Sequence, residues 1–165
     1  MRTSNSINDK MVTQLELQKK LAQWRVLPKT IAFTNGCFDV LHAGHIAALT
    51  EAANTADFLV VGLNSDASVR KLKGENRPFN DENSRALLLA ALSMVDAVVL
   101  FSEDTPIDLI KLIKPDVLVK GGDYELKDIV GAKEVIEAGG KVVINPIVHG
   151  FSTSSTINKF QNKNT

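Results

Sequence analysis

The sequence contains one cysteine, Cys37, so an intramolecular disulfide framework is excluded and a reducing compartment, by default the cytoplasm, is the expected setting. It also lacks an excess of charge of either sign: Lys plus Arg and Asp plus Glu both number 19. Without a net positive field a long polynucleotide partner is not expected, because sequence-tolerant nucleic-acid binding depends on neutralising phosphates. No apolar run approaches the roughly 20 residues of a membrane span. The opening MRTSNSINDKM has no apolar stretch of the kind a secretory signal needs. A membrane partner is therefore not expected either. Histidine is scarce, with three in the chain, yet two of them stand three positions apart, at His42 and His45.

What is present is enough apolar material for one domain: 165 residues, 44% hydrophobic. The reading places a single domain over residues 12–160 between loose polar tails at 1–11 and 161–165. A leading helix is expected from Val12 to Trp24, with Leu15, Leu17, Leu21 and Trp24 as its apolar stripe. Five strand-like runs follow, at 30–34, 57–64, 96–101, 116–120 and 141–148. Between them lie a helix from Gly44 to Ala53, a charged loop over 66–80 with room for a short helix at its start, and a helix capped by Asn80 or Asp81 that buries Leu87, Leu88, Ala91, Leu92 and Val95. Asp104-Thr105-Pro106 reads as a helix start, a helix over 127–138 stops at Gly139-Gly140, and the STSST run at 152–156 caps a last helix. Runs such as DFLVVGLN are apolar almost throughout, the pattern of a strand covered on both faces. The fold expected is α/β: a Rossmann-like five-stranded parallel sheet with helices on both faces. In such sheets ligands bind beyond the carboxyl ends of the strands, so residues that follow strands are the candidates for function.

After the first of these strands comes Thr34-Asn35-Gly36-Cys37-Phe38-Asp39-Val40-Leu41-His42-Ala43-Gly44-His45. Two histidines at i and i+3 share a helix face, and Gly44 between them leaves room for a ligand. The helix start adds free N–H groups and the positive end of the dipole, which together suit a phosphate. Three readings compete: ordinary polar residues at a helix start, a zinc set of Cys37, His42 and His45 with no obvious fourth ligand, and phosphate chemistry. The last is preferred.

TNGCFDVLHAGH resembles the H-x-G-H signature of the cytidylyltransferase-like nucleotidyltransferases. Together with LNSDASVRKLKGENRP, EDTPIDLI, KPDVLVKGGDY and GFSTSS, it extends that similarity over about residues 30–160, nearest to the heptose 1-phosphate adenylyltransferases. The resemblance implies direct attack of a substrate phosphate on the α-phosphorus of a nucleoside triphosphate, with His42, His45 and Lys73 at the chemistry. It implies a nucleotide site of Thr34, Asn35, Gly36, Cys37, Phe38, Gly44 and Arg77, joined by Lys120, Gly122 and Asp123 and by Ser152, Thr153 and Ser154 at a helix start. Asp39, Arg70 and Arg85 are candidates for the acceptor substrate. Asp39 could equally hydrogen-bond within its own loop, and Arg85 could be a surface salt bridge. Cys37 is read as a small wall residue, since nothing marks a base that would make it a nucleophile.

The activity implied is transfer of AMP from ATP to D-glycero-β-D-manno-heptose 1-phosphate, giving ADP-heptose and pyrophosphate. Mg²⁺ would accompany the ATP without a dedicated cage, so no residue is assigned as a metal ligand. A homodimer is expected by the same resemblance, as is a separate heptose kinase upstream to supply the sugar 1-phosphate. The alternatives are a cytidylyltransferase for glycerol 3-phosphate or a similar alcohol phosphate, and a non-catalytic nucleotide-binding module.

Overall fold

The runs read as strands do lie side by side, all parallel, and a sixth strand joins them at one edge. The computed structural model of the chain describes residues 7–122 and 124–145. Its strands are β1 (Met11–Val12), β2 (Ile31–Gly36), β3 (Phe58–Asn64), β4 (Ala97–Phe101), β5 (Val117–Gly121) and β6 (Lys141–Asn145), in the order β1-β4-β3-β2-β5-β6. The helices between them are α1 (Gln14–Val26), α2 (Ala43–Ala53), α3 (Asp66–Lys73), α4 (Glu82–Ala90), α5 (Ile107–Ile113) and α6 (Ala132–Glu137).

Alternation along the strands builds two cores. Ile31, Phe33, Val60, Val99 and Leu118 join Leu17 and Leu21 of α1, Leu109, Ile110 and Ile113 of α5, and Val135 of α6. Ala32, Leu59, Val61, Leu63, Val98, Val117 and Val119 join Leu49 of α2 and Leu89 of α4. Each fully buried side chain of this kind stabilises the fold by roughly 1.5–3 kcal/mol before entropy is counted. The α/β class is as expected.

Several elements differ from the sequence reading. Residues 7–11, expected in a loose tail, are ordered: Ile7–Lys10 is a 3₁₀ turn, Met11 and Val12 pair with Val98 and Val99, and Lys10 Nζ donates to the Leu92 carbonyl at 3.0 Å. Two residues of backbone pairing carry almost no periodicity, so the strand was invisible in the sequence. The helix α1 starts later than expected because Thr13 and Glu16 form a capping box, and its Leu15 is 64% exposed. The charged stretch does open with the short helix it had room for, α3, capped by Ser65 and closed at Gly74, whose φ of 99° suits glycine.

In α4 the cap is Asp81, but the buried face is Arg85, Ala86, Leu89 and Ala90, while Leu87 and Leu88 are each 46% exposed. Val95 is buried and Leu92 packs on the core as expected, but within α4 itself the face is shifted because an arginine occupies it. Pro106 is the N-cap of α5, with no side-chain cap bond from Asp104 or Thr105. The helix expected over 127–138 is a 3₁₀ turn, Leu126–Asp128, followed by a shorter α6. The end of the last predicted strand, the predicted last helix, residues 1–6 and the tail 161–165 lie outside the described residues.

Candidate active site

From β2 the chain builds outward through β3 to β4, then returns to lay β5 on the other side of β2. The ends of β2 and β5 therefore flank the topological switch point, where parallel sheets leave a crevice. A cleft of about 590 Å³ opens there, lined by Asn35, Gly36, Cys37 and Phe38 after β2, Lys73 and Arg77 beyond β3, and Lys120 at β5. That volume suits a nucleotide-sized ligand.

The turn after β2 is shaped by close packing. Phe38 adopts a φ of 45°, and its ring meets that of His45 edge-on with centroids 5.3 Å apart. A Cβ at Gly36 would stand 3.0 Å from the Phe38 ring, so any larger residue there would have to push that ring aside. His42 is the N-cap of α2 in an extended conformation, and its carbonyl accepts from the backbone N–H of His45 at 2.9 Å. The two imidazoles stack with centroids 3.8 Å apart and planes 20° from parallel. The pairing inferred from spacing is thus present, with His45 on the cleft wall and His42 packed against it; His42 itself does not line the cleft.

Burial pushes the His45 imidazole down to about 4, with neighbouring His42 adding to the effect and the Val40 carbonyl opposing it; burial lowers His42 too. Both rings are therefore neutral near pH 7, each with one N–H to donate. Two cationic rings at this separation would repel, so the pair is built to supply hydrogen bonds rather than full charges.

Asp39 is 3% exposed. Its Oδ2 accepts from Arg77 Nε at 2.6 Å, its Oδ1 accepts from the backbone N–H groups of Phe79 and Asn80 at 2.8 and 3.1 Å, and its carbonyl accepts from Asn80 Nδ2. The partners belong to the 77–80 loop and not to the loop of Asp39 itself, and the carboxylate that holds that loop also stands on the cleft wall. Arg77 stays on the cleft wall, half-tethered by Asp39 and with its guanidinium 5.1 Å from the Phe79 ring centroid.

Arg85 requires a larger correction. It is fully buried and donates to the carbonyls of Asn80, Cys37 and Asn64 at 3.0, 2.6 and 2.8 Å and to Asp66 at 2.7 Å. It is neither a substrate contact nor a surface salt bridge; it ties the turn after β2 to the end of β3 and to the loop before α4. Arg70 is corrected as well. It is exposed on α3 and borders a separate polar depression with Ser65, Asp66, Asp81, Glu82 and Ser102.

Cys37 is a wall residue whose thiol is pushed up by burial, which keeps it protonated and unreactive. No three His, Cys, Asp or Glu side chains are gathered as a metal site would need among the described residues, so Cys37, His42 and His45 do not form the zinc set that was weighed. Thr34 is buried within β2 and Gly44 sits in the first turn of α2; neither lines the cleft. Gly122, with φ 127°, donates to the Asn145 carbonyl, and a Cβ there would meet the Tyr124 ring at 2.9 Å. Asp123, Ser152, Thr153 and Ser154 lie outside the described residues.

Lys120 donates to Asn35 Oδ1 at 2.9 Å, a bond that spans the switch point, and burial lowers its pKa. The cleft also includes Asn64, Asp104, Thr105, Pro106 and Tyr124, which the sequence reading left unassigned. Asn64 ends β3 and the 104–106 turn follows β4, so the rule used for the other loops, extended to the last residue of a strand, would have found them.

The cytidylyltransferase-like family profile matches residues 33–159, and the chain belongs to that family. Among its relatives are the bifunctional protein HldE of Nitrobacter hamburgensis, 56% identical over 144 residues, and that of Koribacter versatilis, 55% identical over 150. The alignments cover 87% and 91% of this chain but 29% and 31% of those proteins, so the chain spans under a third of their length. In three dimensions it resembles the lipopolysaccharide core biosynthesis protein of Thermoplasma volcanium, at 31% identity and a TM-score of 0.58 over 72% of this chain and 96% of that one. Pantoate-beta-alanine ligase of Francisella tularensis, at 15% identity, a TM-score of 0.65 and coverage of 93% and 76%, shares the fold. No helix among the described residues is long and apolar enough to cross a membrane.

Proposed function

We propose that the chain transfers AMP from ATP to D-glycero-β-D-manno-heptose 1-phosphate, releasing pyrophosphate and forming ADP-heptose. The observation that carries this reading is the placement of His45, backed by His42, on the wall of the switch-point cleft among Lys73, Arg77 and Lys120. The similarity to the HldE proteins supports the choice of substrates.

In this reaction an oxygen of the sugar phosphate attacks the α-phosphorus, the bond from that phosphorus to the bridging oxygen breaks, and pyrophosphate leaves with the electron pair. Such a transfer needs alignment and stabilisation of growing charge more than a protein nucleophile. A neutral imidazole N–H from His45 supplies a donor on the cleft wall. Lys73 and Arg77 supply cations. Mg²⁺ bound to the triphosphate would neutralise part of its charge; it prefers phosphate oxygens and water to an all-protein cage. We further propose a cytoplasmic homodimer, fed with sugar 1-phosphate by a separate heptose kinase.

Pyrophosphate release from ATP or CTP, each paired with heptose 1-phosphate or glycerol 3-phosphate, tests the reading. Turnover is expected with ATP and the heptose, and His45→Ala is expected to lower kcat by about 10²–10³. Turnover with CTP and glycerol 3-phosphate would replace the substrates. Nucleotide binding with no release from any pair would make the chain a binding module.

A further inference from the structure

Resting on the transfer reading above, we infer that Lys120 seats the phosphate of the acceptor, on the side of the cleft opposite the cations that receive the leaving pyrophosphate. The cations of the cleft fall into two groups. Lys73 ends α3 and Arg77 follows it, both beyond β3, whereas Lys120 stands at the end of β5. In the sheet β2 lies between β3 and β5, so the turn after β2, with His45 at the start of α2, separates the two groups.

Displacement at phosphorus places the entering and leaving oxygens roughly in line, on opposite faces of the atom transferred. A phosphorus held at the turn after β2 would then have its two partners on the β3 and β5 sides. Pyrophosphate offers more oxygens than a phosphate monoester, so it belongs with the side that holds Lys73 and Arg77, whose Nε is bound to Asp39 while the rest of its guanidinium remains on the cleft wall, and the single lysine belongs with the monoester.

The lysine is prepared for this task. It is half-buried, its ammonium donates to Asn35 Oδ1 at 2.9 Å, and no ion pair to a carboxylate is formed by it among the described residues. A cation removed from water without a counter-ion is costly unless a ligand completes it. Asn35 fixes the direction of the amine, leaving its remaining N–H groups for an anion. The acceptor is thereby selected for a charged phosphate beside the attacking oxygen.

Steady-state kinetics of Lys120→Met, Lys120→Gln and Lys120→Arg, with ATP and heptose 1-phosphate varied separately, test the inference. Lys120→Met is expected to raise KM for the heptose phosphate at least about tenfold, the loss of a hydrogen bond to a charged group, while KM for ATP stays within about twofold. Lys120→Gln, which packs differently, guards against a folding artefact and should behave alike, whereas Lys120→Arg should recover most of the acceptor affinity. A rise in KM for ATP alone, equal rises for both substrates, or no change in either would overturn the assignment while leaving the transfer reading intact. A wild type that releases no pyrophosphate would end both.

Discussion

Arg85 and His45 carry the sharpest consequences at the scale of single residues. The Arg85 guanidinium is out of water and satisfied by three carbonyls and Asp66, so truncating it leaves those acceptors unpaired in the interior. Arg85→Met is expected to lower stability by about 3–5 kcal/mol in urea unfolding, as removing one partner of a buried pair does. Lys cannot reproduce the fork geometry, so Arg85→Lys should recover little of it. His45 sets a pH dependence. Its folded pKa, about 4, lies below the unfolded value of about 6.5. Between those limits the unfolded chain binds more protons, so stability is complete above the unfolded pKa and is lost as pH falls toward the folded one. Unfolding free energy should drop from pH 7 to pH 5, and His45→Asn should flatten that drop. In a histidine NMR titration, the His45 midpoint should fall well below the ordinary imidazole range.

At the scale of elements, α4 shows how one residue misdirects a pattern. Periodicity with arginine assigned to solvent points to Leu87 and Leu88, yet once Arg85 is inside, the stripe Arg85, Ala86, Leu89, Ala90 follows at helical spacing. Leu89→Ala should therefore cost about 2–5 kcal/mol in denaturant unfolding. Leu87→Ser and Leu88→Ser should stay within about 1 kcal/mol of the wild type. A comparable loss at Leu87 would restore the face first expected. The stretch holding α3 was legible as charged with room for a short helix, but the bounds of that helix were not, because Ser68 and Val69 are its only fully buried side chains and its start depends on a serine cap. The 104–106 turn was read only as the start of α5, although it stands at the carboxyl end of a parallel strand and lines the cleft.

For the whole molecule the decisive feature is the reversal of strand order about β2. It brings the turn after β2, the region beyond α3 and the end of β5 to one cleft, although they are separated by tens of residues in the chain. A ligand that fills this cleft binds only the folded state, so ATP at about 100 times its Kd should add about 2.7 kcal/mol. For a domain of this size that corresponds to a rise in Tm of roughly 5–10 °C. Thermal melts with ATP and CTP at equal concentration measure it, and a larger shift with CTP would argue against the adenine nucleotide.

The sequence by itself determined the parallel α/β class, since strands apolar on both faces require helices on each side. It also located the paired histidines and the basic segment, because those are local patterns that follow strands. Only the tertiary structure decided the fates of the charged groups. Asp39, Arg70, Arg77, Arg85 and Lys120 are all charged positions in one dimension, yet one faces another depression, one is buried among carbonyls, and three line the cleft, Asp39 while holding a loop. The cause is physical: whether a charged side chain meets solvent, a ligand or an internal partner depends on contacts between residues as far apart as Cys37 and Arg85, or Asn35 and Lys120. No local period encodes such contacts.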